Sequence, residues 1–366
     1  MIDSKDISVV VQGAVDKEET PKCLNSIRKY LPDAEIILST WEGTDVSNLD
    51  YDILVFNKDP GAYYCNRQKT IKNNLNRQII STKNGLKNVS RKYALKLRSD
   101  LILTNNSFLN YYDFFPKRNT KYIIFKNRIM VSCLYSRESI YDIYTKKICK
   151  AHMFVSDWWF FGLKEDINLF FDVKLVDEPQ FSQYYLNDNN YKGDYIWKYA
   201  PEGYFAQHLM KISNTTLIMN DLLSKYLLSS NFIFLGFRES GIYNKKHLPY
   251  SKDERLFDYI QYPGLITYYK FLKYYKNYID KKYSIPKEVY KYYKLKYIHK
   301  KHSSFEKKIR KLISCFIPYK KLRKEMRGEI TLNMPEIGAT VERERERERE
   351  REIALKIHRE ILKKVA

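Results

Sequence analysis

Glycine is scarce in this chain, with 12 among 366 residues, and the glycine-rich phosphate-binding motifs are missing with it. The sequence contains no Walker loop and no GxGxxG dinucleotide fingerprint, and it also lacks the GxSxG elbow and the HExxH zinc motif. These absences argue against a P-loop nucleotidase, a Rossmann dehydrogenase, an α/β-type serine hydrolase and a zinc protease.

The cysteines form no pattern. There are five, far apart and without a CxxC pair, which is neither a zinc motif nor a disulfide framework (Cys23, Cys65, Cys133, Cys149 and Cys315). The sequence also has no apolar run of the roughly 18 residues that a membrane-spanning helix needs. Its first residues lack the basic-then-apolar order of a signal peptide. We therefore expect a reduced protein that is made and kept in the cytoplasm.

Positive charge is abundant and uneven. The formal net charge is +22, and residues 251–330 hold about 22 Lys and Arg against about 8 Asp and Glu. Such a field implies an anionic partner, either a membrane surface or nucleic acid. Near the end of this basic segment, the apolar residues between Phe305 and Ile317 would share one face of a helix, and the basic residues would share the other. This pattern is typical of a helix on an anionic membrane, although an ordinary docking helix with a basic outer face is the alternative.

Strand and helix patterns alternate through the first hundred residues. This order predicts an α/β fold with a mostly parallel mixed sheet. Ligands of such sheets bind beyond the carboxyl ends of the strands, where the polar tips of this sequence fall. Strands are predicted at 7–11, 34–39, 52–56, 93–103, 121–125 and 154–161, and helices at 20–31, 74–89, 202–212, 270–283 and 286–301.

Two charged residues interrupt one predicted core strand. Arg98 and Asp100 lie within the apolar run Tyr93–Leu103, where a charge is costly unless it is paired or binds something. A carboxylate at the end of an internal strand is where nucleotide-sugar enzymes hold a metal ion or a ribose hydroxyl. The alternative is an Arg98–Asp100 ion pair at a strand end.

Two further segments could contact a nucleotide. Gln12 and Gly13 end the first strand, and glycine there would let a base or ribose approach the backbone, although any tight turn uses glycine. Asn76 and Arg77 lie near a helix start, where phosphate binds well, although exposed helical arginines are common.

Two carboxylates are candidate general bases. Asp157 lies among aromatic residues, which would raise its pKa, and Glu202 begins a helix, which would hold it ionised. Trp158 would offer a stacking surface for a sugar or base. The alternatives are a core strand at Trp158 and an ordinary helix-start carboxylate at Glu202. His208 could complete a metal site with Asp100, although a lone histidine is more often structural.

Several of these segments together resemble the WavE lipopolysaccharide synthesis family of bacterial surface-polysaccharide enzymes. The most specific are KLRSD and SDWWFFG, because each joins several uncommon residues at fixed spacing. The matching stretches are Ile7–Ala14 (ISVVVQGA), Thr20–Pro32, Asp59-Pro60-Gly61, Asn76–Gly85 (NRQIISTKNG), Lys96–Leu101 (KLRSDL), Ser156–Gly162 (SDWWFFG) and Pro201–Phe205 (PEGYF).

The resemblance implies a glycosyltransferase of the GT-A type that moves a sugar from a nucleotide-sugar donor to a lipid-linked glycan acceptor. Donor contacts would come from the segments of Gln12, Asp59, Gly61, Arg77 and Arg98. Asp100 would match the DxD carboxylate of that fold and bind Mn²⁺ or Mg²⁺, but this sequence has one acid there. A metal-free site or a CMP-sugar donor stays open. Glu202 or Asp157 would deprotonate the acceptor hydroxyl.

These inferences give a three-part organisation. Residues 1–250 would form the GT-A-like catalytic domain, 251–330 a basic Tyr- and Lys-rich helical region that binds the anionic inner-membrane surface, and 331–366 a charged Arg-Glu repeat tail without a catalytic role. We expect a peripheral inner-membrane enzyme with no nucleic-acid partner. The rival hypotheses are a non-catalytic nucleic-acid-binding protein and a phosphotransferase of polysaccharide assembly.

Overall fold

A computed structural model of the chain describes residues 2–142, 147–188, 195–213, 219–244 and 264–300. The predicted amphipathic helix at 305–317 and the Arg-Glu repeat tail lie outside the described residues. In chain order, the strands are β1 (Ile7–Gln12), β2 (Glu35–Trp41), β3 (Ile53–Asn57), β4 (Tyr63–Tyr64), β5 (Lys72–Asn73), β6 (Tyr93–Arg98), β7 (Leu101–Leu103), β8 (Ile129–Ser132), β9 (Arg137–Asp142), β10 (Lys147–Phe154), β11 (Trp159–Leu163), β12 (Phe232–Leu235) and β13 (Ile242–Asn244). The helices are α1 (Glu19–Tyr30), α2 (Leu75–Lys87), α3 (Lys164–Phe171), α4 (Pro201–Ile212), α5 (Asp221–Asn231), α6 (Phe237–Ser240), α7 (Tyr268–Tyr274) and α8 (Lys287–Lys300).

Seven strands form the central sheet in the order β12-β8-β11-β6-β1-β2-β3. β1 runs parallel to both β2 and β6, β2 runs parallel to β3, and β12 runs parallel to β8. Only β11 is antiparallel to its two neighbours in this sheet. The predicted α/β fold with a mostly parallel mixed sheet is therefore confirmed.

The apolar strand runs explain the layering. Every residue of β1 is buried, as expected for a central parallel strand covered on both faces. Helix α2 packs closely on β1 because Gly85 has no side chain, and a Cβ there would overlap Val10 Cγ1. This close approach brings the start of α2 to the carboxyl ends of the strands.

Three predicted strands differ from the observed ones. The run Tyr93–Leu103 is two strands, because β6 ends at Arg98 and β7 leaves the sheet to pair with β13. The run 154–161 is also broken, by a turn that separates β10 from β11. The strand predicted at 121–125 was wrong, since Thr120–Tyr122 forms a short 3₁₀ turn.

The C-terminal part begins with two helices. Helix α7 continues into a π-helical turn, Tyr275–Ile279, and places Phe271 and Tyr275 against Phe115, each with ring centroids 5.0 Å apart. The lysines on its outer side stay exposed. Among the described residues, no helix is both long enough and apolar enough to cross a membrane.

Contacts divide the chain into two units. The first contains the sheet and comprises Met1–Ala62, Asn74–Asp177 and Tyr199–Ser303, so α7 and α8 belong with the sheet. Of the described residues, the second unit takes Tyr63–Asn73 and those between Glu178 and Lys198. Within it, the short β4–β5 hairpin is bound to the later segment by Ile196 N, which donates to Cys65 O at 2.8 Å. No sequence pattern predicted this second unit.

Candidate functional site

An arginine–carboxylate pair marks the carboxyl end of β6. Arg98 Nε and Nη2 donate to the two carboxylate oxygens of Asp100 at 3.0 and 2.7 Å. The guanidinium carbon lies 5.3 Å from the Trp158 ring centroid. Burial opposes the charge on Arg98, yet Asp100 and then Asp157 hold its pKa above the usual value. The ion-pair alternative is thus what the structure contains, and it is set among further charged groups.

An acid pair lies beside this ion pair. Asp157 sits in the turn between β10 and β11, and Glu202 occupies the first turn of α4 behind Pro201. Burial, and then the negative charge of Asp157, raise the pKa of Glu202, while its own backbone N–H and the charge of Arg137 act against the rise. Helix-start geometry alone would have kept Glu202 ionised. Here burial and the neighbouring acid outweigh it.

Tyr135, in the turn before β9, and Arg137, the first residue of β9, complete a row of rings and guanidinium groups. The ring centroids of Tyr135 and Trp158 lie 5.5 Å apart, and the guanidinium carbon of Arg137 lies 5.7 Å from the Tyr135 ring centroid. Tyr135 adopts a positive φ of 66°, a conformation that bulky residues rarely take and that clusters at functional sites. Burial raises its pKa to about 12. Arg98 and Arg137 therefore lie at the two ends of this row, and the acid pair lies beside it.

Trp158 itself does not present an open stacking surface. Its side chain is almost wholly buried, 4% exposed, with Arg98 and Tyr135 against its ring. It therefore supports Arg98, because a guanidinium over an indole face is attracted by the ring quadrupole.

Gln12 and Gly13 border the same strand end. Ser99 N donates to Gln12 O at 3.0 Å, and Ser99 Oγ donates to Ala14 O at 2.6 Å. The Gln12 side chain is buried and accepts a hydrogen bond from Ser81 Oγ at 2.7 Å. Gly13 has φ 115°, which explains the glycine. The Gln12 amide thus anchors α2 to β1, and the backbone at Gly13 lies next to Ser99.

The other predicted donor residues form a separate group at the end of β3. Arg77 donates to both Asp59 oxygens, at 2.7 and 2.5 Å, and Gly61 N donates to Asp59 Oδ1 at 2.9 Å. Asn76 exchanges two hydrogen bonds with the backbone of Val176, at 3.1 and 2.9 Å. The amide of Asn76 therefore has a structural task.

The residues predicted to bind a metal ion are engaged elsewhere. Both Asp100 oxygens accept hydrogen bonds from Arg98, and His208 Nε2 lies 3.0 Å from Leu169 O on α3. Within the described part of the chain, no group of three or more His, Cys, Asp or Glu side chains could hold a metal ion. In this structure Asp100 is therefore paired with an arginine, and metal dependence stays a prediction.

Comparison with known proteins identifies the family of this chain. The family described as WavE lipopolysaccharide synthesis matches residues 7–305. This chain belongs to that family. The resemblance carried by the sequence motifs is thereby confirmed, and membership gives the protein a role in lipopolysaccharide synthesis. No curated protein matches the chain.

Among solved structures, the chain is similar to a 4-diphosphocytidyl-2C-methyl-D-erythritol synthase from Anaerococcus prevotii DSM 20548. The identity is 13% and the TM-score 0.29, over 57% of this WavE chain and 100% of the other. At that TM-score the likeness carries no argument about function.

Sequence reasoning missed three residues of the site. Lys96 is wholly buried in the middle of β6, and its position between Leu95 and Leu97 was the signal that could have found it. Tyr135 and Arg137 had no such signal, because only the tertiary fold brings the start of β9 to the end of β6.

Proposed function

We propose that this protein is a glycosyltransferase of lipopolysaccharide synthesis that uses a nucleotide-sugar donor. The observation that carries the proposal is the Asp157–Glu202 acid pair, placed next to a paired arginine at the carboxyl end of a central parallel strand. A buried carboxyl group whose pKa is raised by burial and by a neighbouring acid, as that of Glu202 is, is typical of acid–base sites. Family membership supports the pathway, and the chemistry is our inference from the geometry.

In the proposed reaction, Glu202 is the general base. It takes the proton of an acceptor hydroxyl as that oxygen attacks the anomeric carbon of the donor. The bond from the anomeric carbon to the donor phosphate breaks, and its electron pair leaves with the nucleotide. A base whose pKa is raised toward working pH is favoured for this step, because it holds the proton more strongly than an ordinary carboxylate.

Arg98 and Arg137 supply positive charge for the departing phosphate. Arg98 is held in place by Asp100 and Trp158, and Arg137 by the Tyr135 ring. Preorganised cations stabilise developing charge without reorganising during the reaction. No step in this account uses a metal ion, since both Asp100 oxygens accept hydrogen bonds from Arg98.

We also propose a lipid-linked glycan acceptor and an anionic inner-membrane surface as partners. The described C-terminal helices and their connection support a membrane role through six exposed lysines: Lys273, Lys276, Lys281, Lys282, Lys287 and Lys291. Lysines at an anionic surface contribute about 1 kcal/mol each. Cosedimentation with anionic vesicles that weakens with added salt, and none with neutral vesicles, is the expected result. Equal binding to both would contradict the membrane proposal.

A thermal-shift screen of UDP-, GDP-, dTDP- and CMP-sugars, each with and without Mn²⁺, tests the function. A donor at 100 times its dissociation constant stabilises the folded state by about 2.7 kcal/mol. We expect one nucleotide class to raise the Tm, and its sugar to be transferred to lipopolysaccharide acceptors. A shift that requires Mn²⁺ would overturn the metal-free account, and no shift with any donor would contradict the glycosyltransferase proposal.

A further inference from the structure

Lys96 is a buried cation in the centre of the sheet. Its side chain is 0% exposed, and its backbone lies between Val10 of β1 and Phe160 of β11 in the pairing register. Strand alternation puts Lys96 on the same face as Arg98, two residues nearer the core. The side chain therefore ends beneath the site.

The ammonium group is bonded to the turn that carries Asp157. Lys96 Nζ donates to Asp157 O and lies 3.5 Å from Trp158 O. It also lies 5.7 Å from the ring centroids of Phe160 and Phe171. Two carbonyl oxygens and two ring faces thus surround the charge.

The other hydrogen bonds to this turn either are long or are made by Ser156, at its beginning. Gln78 Nε2 donates to Asp157 O at 3.4 Å, and Ser156 N donates to Ser136 Oγ at 2.9 Å. Among these contacts, only that of Lys96 comes from an ammonium group, and it reaches the carbonyl oxygens of both Asp157 and Trp158. Hydrogen bonds from charged donors are roughly twice as strong as neutral ones.

The ammonium is costly where it lies. Burial, assisted by the neighbouring Arg98 charge, lowers the pKa of Lys96 to about 7, although Asp157 and Asp100 act in the opposite direction. An apolar side chain of similar volume would avoid the cost of taking this charge out of water. Packing alone would therefore be served as well by a methionine.

We propose that Lys96 is a positioning residue whose ammonium holds the Asp157–Trp158 backbone and so places the Asp157 carboxylate beside Glu202. This inference rests on the proposed function for its catalytic consequence. The restraint of the turn itself does not depend on the proposed function, and it can be measured separately.

The test compares Lys96→Met with Lys164→Met. Lys164 is the matched control, because its Nζ also donates to a backbone carbonyl, Val89 O, away from the acid pair. Amide hydrogen exchange across 156–159 measures the restraint of the turn. Steady-state kinetics with the donor found by the thermal-shift screen measures the consequence.

We expect faster exchange across 156–159 in Lys96→Met and a kcat lower by about 10- to 100-fold, the range for a misplaced catalytic group. The KM for the donor should change little, and Lys164→Met should leave both the exchange and kcat unchanged. If Lys96→Met does not fold, Lys96→Gln replaces it, because its amide is one bond too short to reach both carbonyls.

Two results would overturn the inference. Unchanged exchange at 156–159 would show that Lys96 does not restrain the turn, whatever the activity. Faster exchange with wild-type kcat would show that the restraint does not serve catalysis. A wild-type protein inactive with every donor would instead contradict the proposed function, and the exchange comparison would still decide whether Lys96 holds the turn.

Discussion

Forked arginine–aspartate pairs lie beyond the carboxyl ends of two described strands, β6 and β3, and they differ in their surroundings. Arg98–Asp100 follows β6, and its Asp100 side chain is 11% exposed. Arg77–Asp59 joins the end of β3 to the start of α2, and its Asp59 side chain is 39% exposed. In both pairs the arginine binds both carboxylate oxygens.

The neighbours of each pair decide what it can do. Arg98 has Trp158 beneath it and Asp157 within electrostatic reach, whereas Arg77 makes its remaining contact with Asn74 Oδ1 at 3.1 Å. Charges in a partly dry environment interact more strongly than charges in water. Ion-pair geometry alone therefore does not identify a site, and the acid pair beside Arg98 makes the difference.

The largest expected effect is on turnover in Glu202→Gln. Loss of a general base lowers the rate by about 10²- to 10⁴-fold, so kcat should fall within that range while the fold is kept. Glu288→Gln is a matched control, because Glu288 also lies in the first turn of a helix, α8, and is exposed. Equal kcat in Glu202→Gln and Glu288→Gln would remove the acid pair from the mechanism.

The next effect is expected in Asp100→Asn, which leaves the Arg98 guanidinium without its carboxylate. A hydrogen-bonded charge contact is worth about 2 kcal/mol, so thermal unfolding should shift down and the donor should bind more weakly. Circular dichroism melting and kcat/KM measure the two consequences. Wild-type activity in this variant would contradict the donor assignment at the end of β6.

A smaller effect concerns the pH dependence of stability. Since the pKa of Glu202 is raised on folding, the native state binds a proton that the unfolded state releases, and stability falls as pH rises above the ordinary carboxyl range. The Glu202→Gln variant should not lose stability in this way as the pH rises. Its Tm should exceed that of the wild type at pH 8 and converge with it near pH 4. A constant difference across this range would assign the change to packing.

The smallest effect is expected in Asp59→Asn. Exposed ion pairs contribute about 0–1 kcal/mol, and Asp59, whose pKa is lowered mainly by its hydrogen bond from Arg77, should fit that range. Turnover should stay close to that of the wild type. If Asp59→Asn weakens donor binding as much as Asp100→Asn does, the donor contacts both strand ends, as the sequence motifs predict.

The sheet was largely predictable because its strands are short apolar runs with sharp polar ends. β1, β2 and β3 lie within two residues of the predicted strands, since both faces of a parallel strand are buried and its sequence is continuously apolar. The same reasoning placed Gln12 and Asp100 at the carboxyl ends of the strands, where the structure has them.

The errors have physical causes. The run from Phe154 to Phe161 reads as one strand because its polar break is only two residues, Ser156 and Asp157, yet the chain turns there. The contact of Arg98 with Trp158 joins β6 to the end of that turn. Arg137 also forms a β-bridge with Leu265, which is distant in sequence. Local patterns identify the strand ends, but not which loops fold over them.

The most direct test of the account is hydrogen-exchange mapping of the wild-type protein with the nucleotide sugar that raises its Tm. The account predicts protection across 96–100, 135–137, 156–158 and 201–203, with little change across 57–61 and 74–78. Protection confined to 57–61 and 74–78 would place the donor at the exposed pair and contradict the assignment of catalysis to Glu202.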